Sequence, residues 1–216
     1  MLTVILTRHG HTDRSEPDSY LGQRIDAQLT ERGRRDAQAL ADRLQSVPLD
    51  RLIASPLDRS HETARILAAG RDVEIELDPR LAEFDYGSWE GMSLDDVQER
   101  MPDQYALYDA NPAIYHVGGA ESGFEAARRA QALIDDVLAW WAGEGERTCL
   151  LVGHSSINRA LLASVTGTPM ADYRRRFLQD WVNLTVLRWE DRDGGPMLML
   201  LNDLGHLRGT QGLTWG

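Results

Sequence analysis

Leu2-Thr3-Val4-Ile5-Leu6-Thr7-Arg8-His9-Gly10-His11-Thr12 is the stretch from which the rest of the chain is read. Leu2, Val4, Ile5 and Leu6 form a short apolar run rich in β-branched residues, the pattern of a buried strand. The run stops on Arg8-His9-Gly10, so a cation and an imidazole stand where a strand hands over to a turn. The carboxyl ends of strands are where open α/β sheets bind ligands. His9 there offers nucleophile, acid, base or metal-ligand chemistry, and Arg8 offers a planar donor fork suited to phosphate or carboxylate. Gly10 is expected to let backbone approach a ligand closely or to adopt positive φ.

The segments that follow alternate between helix and strand. Thr30 is a helix N-cap, followed by Glu31 at the positive helix end. Leu29, Ala37, Leu40, Ala41, Leu44 and Val47 make one apolar face that ends at Pro48. Leu52-Ile53-Ala54 is a second strand, running straight into a helix that begins around Ser55-Pro56-Leu57 and carries Arg59 in its first turn. Residues 73–77 alternate as a strand, and Thr148-Cys149-Leu150-Leu151-Val152 is a continuous apolar run, as expected of a parallel sheet interior. That run ends in Gly153-His154-Ser155-Ser156 and enters a helix, repeating the opening: strand, histidine, then a helix N-terminus whose amides suit an anion. Ser122 and Glu125 form a capping box for a long helix. Val182, Leu184 and Val186, then residues 197–201, read as two strands of a hairpin around the turn Asp191-Arg192-Asp193-Gly194-Gly195.

The βα rhythm breaks over roughly residues 86–121, where Ser93 and Asp96 cap a short helix and Tyr105, Tyr108, Tyr115 and His116 follow among prolines. Such an insertion is expected either to lie over the strand ends as a lid and specificity wall or to pack against the sheet edge. The expected architecture is a three-layer αβα sandwich with a mostly parallel central sheet, one domain over residues 1–216 with this segment inserted.

Composition narrows the function. A net charge of −11 argues against general nucleic-acid binding, while a few pocket arginines would still serve an anionic substrate. The single Cys149 allows no internal disulfide, no stretch reaches membrane-span length, and no basic leader precedes the first strand. The expectation is a cytoplasmic protein without membrane association. The tail with Trp215 leaves a homodimer contact open.

Arg8-His9-Gly10 with Thr12, Ser55-Pro56-Leu57 with Arg59, Thr63 and Ala64, Leu81-x-Glu83 with Gly87-Ser88-Trp89-Glu90-Gly91, and finally Gly153-His154 occur in the order found in the histidine phosphatase superfamily, which includes the cofactor-dependent phosphoglycerate mutases. The chain resembles that family over nearly its whole length, and most resembles the bacterial phosphatases of small phosphomonoesters, including the α-ribazole phosphatase type. The resemblance implies a phosphoglycerate mutase-like fold and a metal-independent, cofactor-free phosphomonoesterase. By it, His9 becomes a phosphohistidine, Arg8, Arg59 and His154 surround the phosphoryl oxygens, and Glu83 is general acid and base. It also implies substrate contacts from Ser15, Gly22, Gln23 and Ser155. His11 and Ser15 depart from the family, which usually has Glu and often Asn at those positions, and Ser155 stands where Gly is common.

Three other readings remain. A mutase would need extra cations from the inserted segment, and between residues 86 and 120 only Arg100 and His116 are basic, which favours the phosphatase. His9-x-His11 could be the ligand pair of a metal-dependent hydrolase, although 216 residues are short for the barrel that chemistry uses. A non-catalytic binding protein on the same fold would be expected to have lost one of His9, Arg59, Glu83 or His154. His61 and His206 are read as structural.

Overall fold

A computed structural model describes residues 1–16 and 19–207. Strands β1 (Leu2–Arg8), β2 (Arg51–Ala54), β3 (Ile75–Leu77), β4 (Arg147–Gly153), β5 (Leu184–Trp189) and β6 (Met197–Asp203) form one sheet in the order β3-β2-β4-β1-β5-β6. The first four neighbours pair in parallel, β5 pairs antiparallel with β1, and β6 antiparallel with β5. Only β5 is therefore reversed, and the short turn between β5 and β6 allows no crossover, so those two strands must be antiparallel to each other. The mostly parallel sheet is as expected.

Helices α1 (Glu31–Arg43), α2 (Asp58–Ala68), α3 (Leu94–Arg100), α4 (Pro102–Ala110), α5 (Gly123–Trp141), α6 (Ser155–Thr166) and α7 (Tyr173–Arg176) surround it. Alternation along the strands makes the three layers. Leu2, Val4, Leu6, Cys149 and Leu151 share one buried cluster with α5 and α6, while Ile5, Leu150, Val152, Leu52 and Ala54 share the other with α1 and α2. Each fully buried Leu or Ile contributes roughly 1.5–3 kcal/mol. Slipping β1 by one residue would exchange its two faces, so the register is firmly specified.

Capping acts where the residues indicate. Thr30 accepts the Gly33 N–H, and Ser93–Asp96 and Ser122–Glu125 are both complete capping boxes. Some expected boundaries shift. Helix α1 stops at Arg43 rather than running to Pro48, because the Leu44 and Val47 carbonyls accept from the Arg71 guanidinium instead of continuing a helical ladder. β5 starts at Leu184 rather than Val182, which sits at φ +48 and donates its N–H to the Arg8 carbonyl.

The inserted segment packs into the core and also faces the cleft. Val97, Tyr108, Ala113 and Val117 belong to the main core, while Leu94 and Tyr108 line the cleft above the strand ends. No helix among the described residues is long and apolar enough to cross a membrane. Trp215 lies outside the described residues.

Candidate active site

Parallel pairing assembles the site. β1 and β4 run in register with Arg8 opposite Gly153, so the next residues, His9 and His154, leave the sheet side by side. The His9 N–H donates to the Gly153 carbonyl at 3.0 Å, and the two imidazole rings lie 5.0 Å apart. Gly10 serves a different purpose from the one expected. A Cβ there would meet the Gly33 carbonyl oxygen at 2.7 Å, so its bareness admits the first turn of α1 rather than a ligand.

His9 presents a neutral ring with one unprotonated nitrogen. Its Nδ1 lies 2.8 Å from the Gly10 carbonyl oxygen, which can only accept, so Nδ1 carries the hydrogen and Nε2 keeps its lone pair. Burial, reinforced by the Arg59 and Arg8 charges, holds the imidazole well below its ordinary pKa, so it is neutral at pH 7. His9 also lines the cleft.

Arg59 is fully buried, although an arginine in a helix is usually a solvated charge. Nη1 donates to Asp26 Oδ1 at 2.8 Å and Nη2 donates to the Gly22 carbonyl at 2.8 Å, while Asp26 Oδ2 also accepts the Asp58 N–H at the start of α2. The outer edge of the guanidinium is thereby fixed. Its Nε is buried without a partner among the described residues.

His154 shows the same arrangement. Its Nε2 lies 2.8 Å from Ser55 Oγ, which already accepts the Leu57 N–H. The buried Ser55 hydroxyl has no other acceptor among the described residues, so its hydrogen goes to Nε2 and Nδ1 is the protonated nitrogen. That Nδ1 is also buried without a partner, and burial together with Arg59 and His9 lowers the His154 pKa. Two buried donors without a partner are costly, and a pair of them beside His9 is chemically suited to an anion.

Glu83 is held from its own backbone and from α6. Oε1 accepts from Phe84 N and Ile157 N and Oε2 from Ser156 N, each at 3.0 Å. Two of the α6 amides expected to wait for an anion are thus taken by this carboxylate. Oε2 accepts only one of these bonds and retains a lone pair for a proton. The Glu83 carbonyl is clamped by Gln23 Nε2 at 2.7 Å and Arg129 Nη2 at 3.0 Å, and Arg129 also holds the Arg80 and Ala82 carbonyls.

The structure divides the expected substrate contacts into two groups. Ser15 and Ser155 line the cleft. Gly22 and Gln23 do not line it: Gly22 holds Arg59 and Gln23 holds Glu83. Glu90, the second acidic position of its motif, accepts three backbone N–H groups from Gln23, Arg24 and Ile25. His11 turns away from His9, with Nδ1 3.0 Å from Thr30 Oγ1 and its ring edge-on to Trp181. The two histidines of His9-x-His11 therefore do not share one site, and no three potential ligands gather among the described residues. His206 lies near Arg43, away from the cleft.

The cleft has a volume of about 240 Å³. Arg8, His9 and Glu83 line it, Tyr20, Tyr86 and Tyr108 give aromatic surface, and Arg14, Arg159 and Arg174 add charge. None of these last six was singled out from sequence as a site residue. Arg159 lies one helical turn after Ser155, a spacing that could have shown it, and Tyr86 follows Glu83 by three residues. Arg174 comes from a four-residue helix remote in sequence and carried no signal. Neither Arg100 nor His116 of the inserted segment lines the cleft; besides Arg8, three arginines enter it from elsewhere in the chain.

The model of the histidine phosphatase superfamily (branch 1) matches residues 4–204. The chain is 28% identical to phosphoserine phosphatase 1 of Hydrogenobacter thermophilus, over 96% of this chain and 95% of that one. It is 34% identical, over the same shares, to a probable phosphoglycerate mutase GpmB of Proteus mirabilis. Among solved structures it is similar to YhfR of Bacillus stearothermophilus, with TM-score 0.86, 29% identity and coverage of 96% of this chain and 100% of that one. With His9, Arg59, Glu83 and His154 gathered at the strand ends and the family model spanning almost the whole chain, the protein belongs to the histidine phosphatase superfamily.

Proposed function

We propose that this protein hydrolyses a small phosphomonoester through a phosphohistidine formed on His9. The observation that carries the reading is the state of His9: hydrogen on Nδ1, lone pair on Nε2, and two unpartnered buried donors, Arg59 Nε–H and His154 Nδ1–H, close by. In the first step Nε2 attacks phosphorus, the N–P bond forms, and the P–O bond to the alcohol breaks. Arg8, Arg59 and His154 stabilise the charge spread over the phosphoryl oxygens. Glu83 Oε2 delivers a proton to the departing alkoxide. In the second step the same oxygen takes a proton from water as that water attacks phosphorus, and His9 is released with inorganic phosphate. The residues supply every charge and proton of this cycle. Ser15 and Ser155 touch the substrate at the cleft wall, Gly22 and Gln23 act through Arg59 and Glu83, and residues 86–121 supply the specificity wall through Leu94 and Tyr108.

A mutase is the second reading. It is favoured by the additional cleft arginines and by the relative named as a probable phosphoglycerate mutase. Hydrolysis of para-nitrophenyl phosphate and a phosphomonoester panel, in chelator, by wild type and His9→Ala separates the readings. The phosphatase predicts release that survives chelator, vanishes in His9→Ala, and passes through an acid-labile phosphoenzyme in rapid quench. Exchange between phosphoglycerate isomers without net release would instead establish the mutase. Activity lost to chelator would overturn both.

A further inference from the structure

We propose that Arg129 and Glu121 are a positioning pair for the proton donor, holding the backbone on both sides of Glu83 so that its carboxylate meets the departing oxygen. The proposal rests on the reading of Glu83 as general acid.

The backbone that carries Glu83 has no ladder of its own. Residues 82–85 lie in no helix or strand, so side chains must satisfy and fix their peptide groups. Arg129, on α5, does much of this. Its Nη1 donates to the Arg80 carbonyl at 2.8 Å and the Ala82 carbonyl at 2.7 Å, and its Nη2 donates to the Glu83 carbonyl at 3.0 Å. The remaining two N–H groups go to Glu121, Nε to Oε1 at 2.7 Å and Nη2 to Oε2 at 2.9 Å. All five donors of the guanidinium are thereby engaged. Glu121 in turn reaches the other flank. Its Oε2 accepts the Asp85 N–H at 3.2 Å, and its own N–H donates to the Asp85 carbonyl at 3.3 Å.

Neither Arg129 nor Glu121 lines the cleft, so the pair acts through Glu83 and not on the substrate. Both side chains are largely buried, at 19% and 14% exposure. An ion pair that merely anchored the start of α5 would need only the bidentate contact. Here three of the five donors are spent on the carbonyls leading up to and including the proton donor. The Glu83 carboxylate is gripped from α6 by the Ser156 and Ile157 amides, so its reach depends on where residues 80–85 are held against that helix. A lysine at 129 would keep a positive charge beside Glu121, but three donors on one nitrogen cannot span three carbonyls and a carboxylate.

The test separates an acid out of place from a protein that is merely less stable. kcat/KM, which reports events up to cleavage of the first P–O bond, is measured for phenyl phosphate and para-nitrophenyl phosphate. These esters differ by one nitro group. Phenolate is the stronger base and needs the proton from Glu83, whereas nitrophenolate leaves with little help. Arg129→Lys is expected to lower kcat/KM by roughly 10- to 100-fold for phenyl phosphate and by about threefold or less for the nitrophenyl ester. Glu121→Gln keeps the side-chain shape and an acceptor for the Asp85 N–H, and should move the ratio of the two esters the same way by a smaller factor. Loss of folded protein lowers both esters equally. An equal fall, or a ratio unmoved in Arg129→Lys (or in Glu121→Gln should the lysine variant not fold), would overturn the positioning role. Glu83→Gln is measured alongside. If it shifts the ratio and the pair variants do not, the positioning role alone fails. If it leaves the ratio unchanged, or if wild type cleaves the nitrophenyl ester alone or neither ester, Glu83 is not the acid and both readings fail.

Discussion

Replacing Glu90 with Gln tests whether the loop over residues 21–26 is what fixes the phosphoryl clamp. The Glu90 carboxylate accepts Gln23 N–H at 2.9 Å on Oε1, and Arg24 N–H at 2.8 Å and Ile25 N–H at 3.0 Å on Oε2. The same loop supplies the Leu21 and Gly22 carbonyls and the Asp26 carboxylate that hold Arg59. In Glu90→Gln the amide oxygen can keep the two bonds of one side, but its NH2 then faces the third N–H and that bond is lost. A charged hydrogen bond is worth about 1.5–3 kcal/mol and a neutral one about 1 kcal/mol, so one bond goes and two weaken. Discounting for the partial exposure of this loop, the expected loss is roughly 2–3 kcal/mol. For a chain of this size that lowers the melting temperature by about 4–12 °C. Loosening Arg59 should also cut kcat/KM for para-nitrophenyl phosphate by roughly tenfold, since small misplacements of a charged donor are costly in the transition state. Thermal unfolding and steady-state kinetics on the same preparations read both numbers. A variant that melts within about 1 °C of wild type with unchanged kcat/KM would refute the reasoning, because the three amides would then have lost nothing that matters.

Two further outcomes are expected. In Ser55→Ala the His154 tautomer is no longer imposed, so kcat should fall roughly tenfold, stability should fall by about 1–3 kcal/mol because buried partners lose their bond, and the imidazole 15N shifts should show a tautomer mixture; a kcat equal to wild type would show that Ser55 does not position the ring. Stability should also depend on pH in a stated direction. His9 and His154 are held below their ordinary pKa in the folded protein, so below about pH 6.5 the unfolded chain binds more protons and acidification destabilises. The slope is at most about 1.4 kcal/mol per pH unit for each histidine, or about 2.7 for the pair. Urea melts from pH 7.5 to 5.5 measure it, His154→Gln should roughly halve it, and a stability that is flat or rises on acidification contradicts the buried neutral pair.

The order of strands and helices was legible in the residues because each element carries its own signal. β1 and β4 are continuous apolar runs, Thr30, Ser93 and Ser122 are caps, and the hairpin turn is rich in Asp and Gly. These are local preferences, so they survive without knowledge of the fold. The reactive end was legible for a related reason. His9 and His154 each follow a strand directly, and two parallel neighbours must deliver both to one edge of the sheet.

What surrounds that end was not. Gly22 and Gln23 matched a substrate loop in sequence, yet which way a loop turns its groups depends on what packs beneath it, here Arg59 and Glu83. Gly10 was expected to face a ligand and instead meets Gly33, a contact between segments more than twenty residues apart. By itself the sequence determined the βα order, the histidine pair and the acid beside it, because strand ends and motif spacing are properties of neighbours in the chain. Only the tertiary structure decided the tautomers of His9 and His154, the burial of Arg59 and the arrival of Arg159 and Arg174 in the cleft, because hydrogen-bond partners and local charge are set by residues brought together from distant parts of the fold.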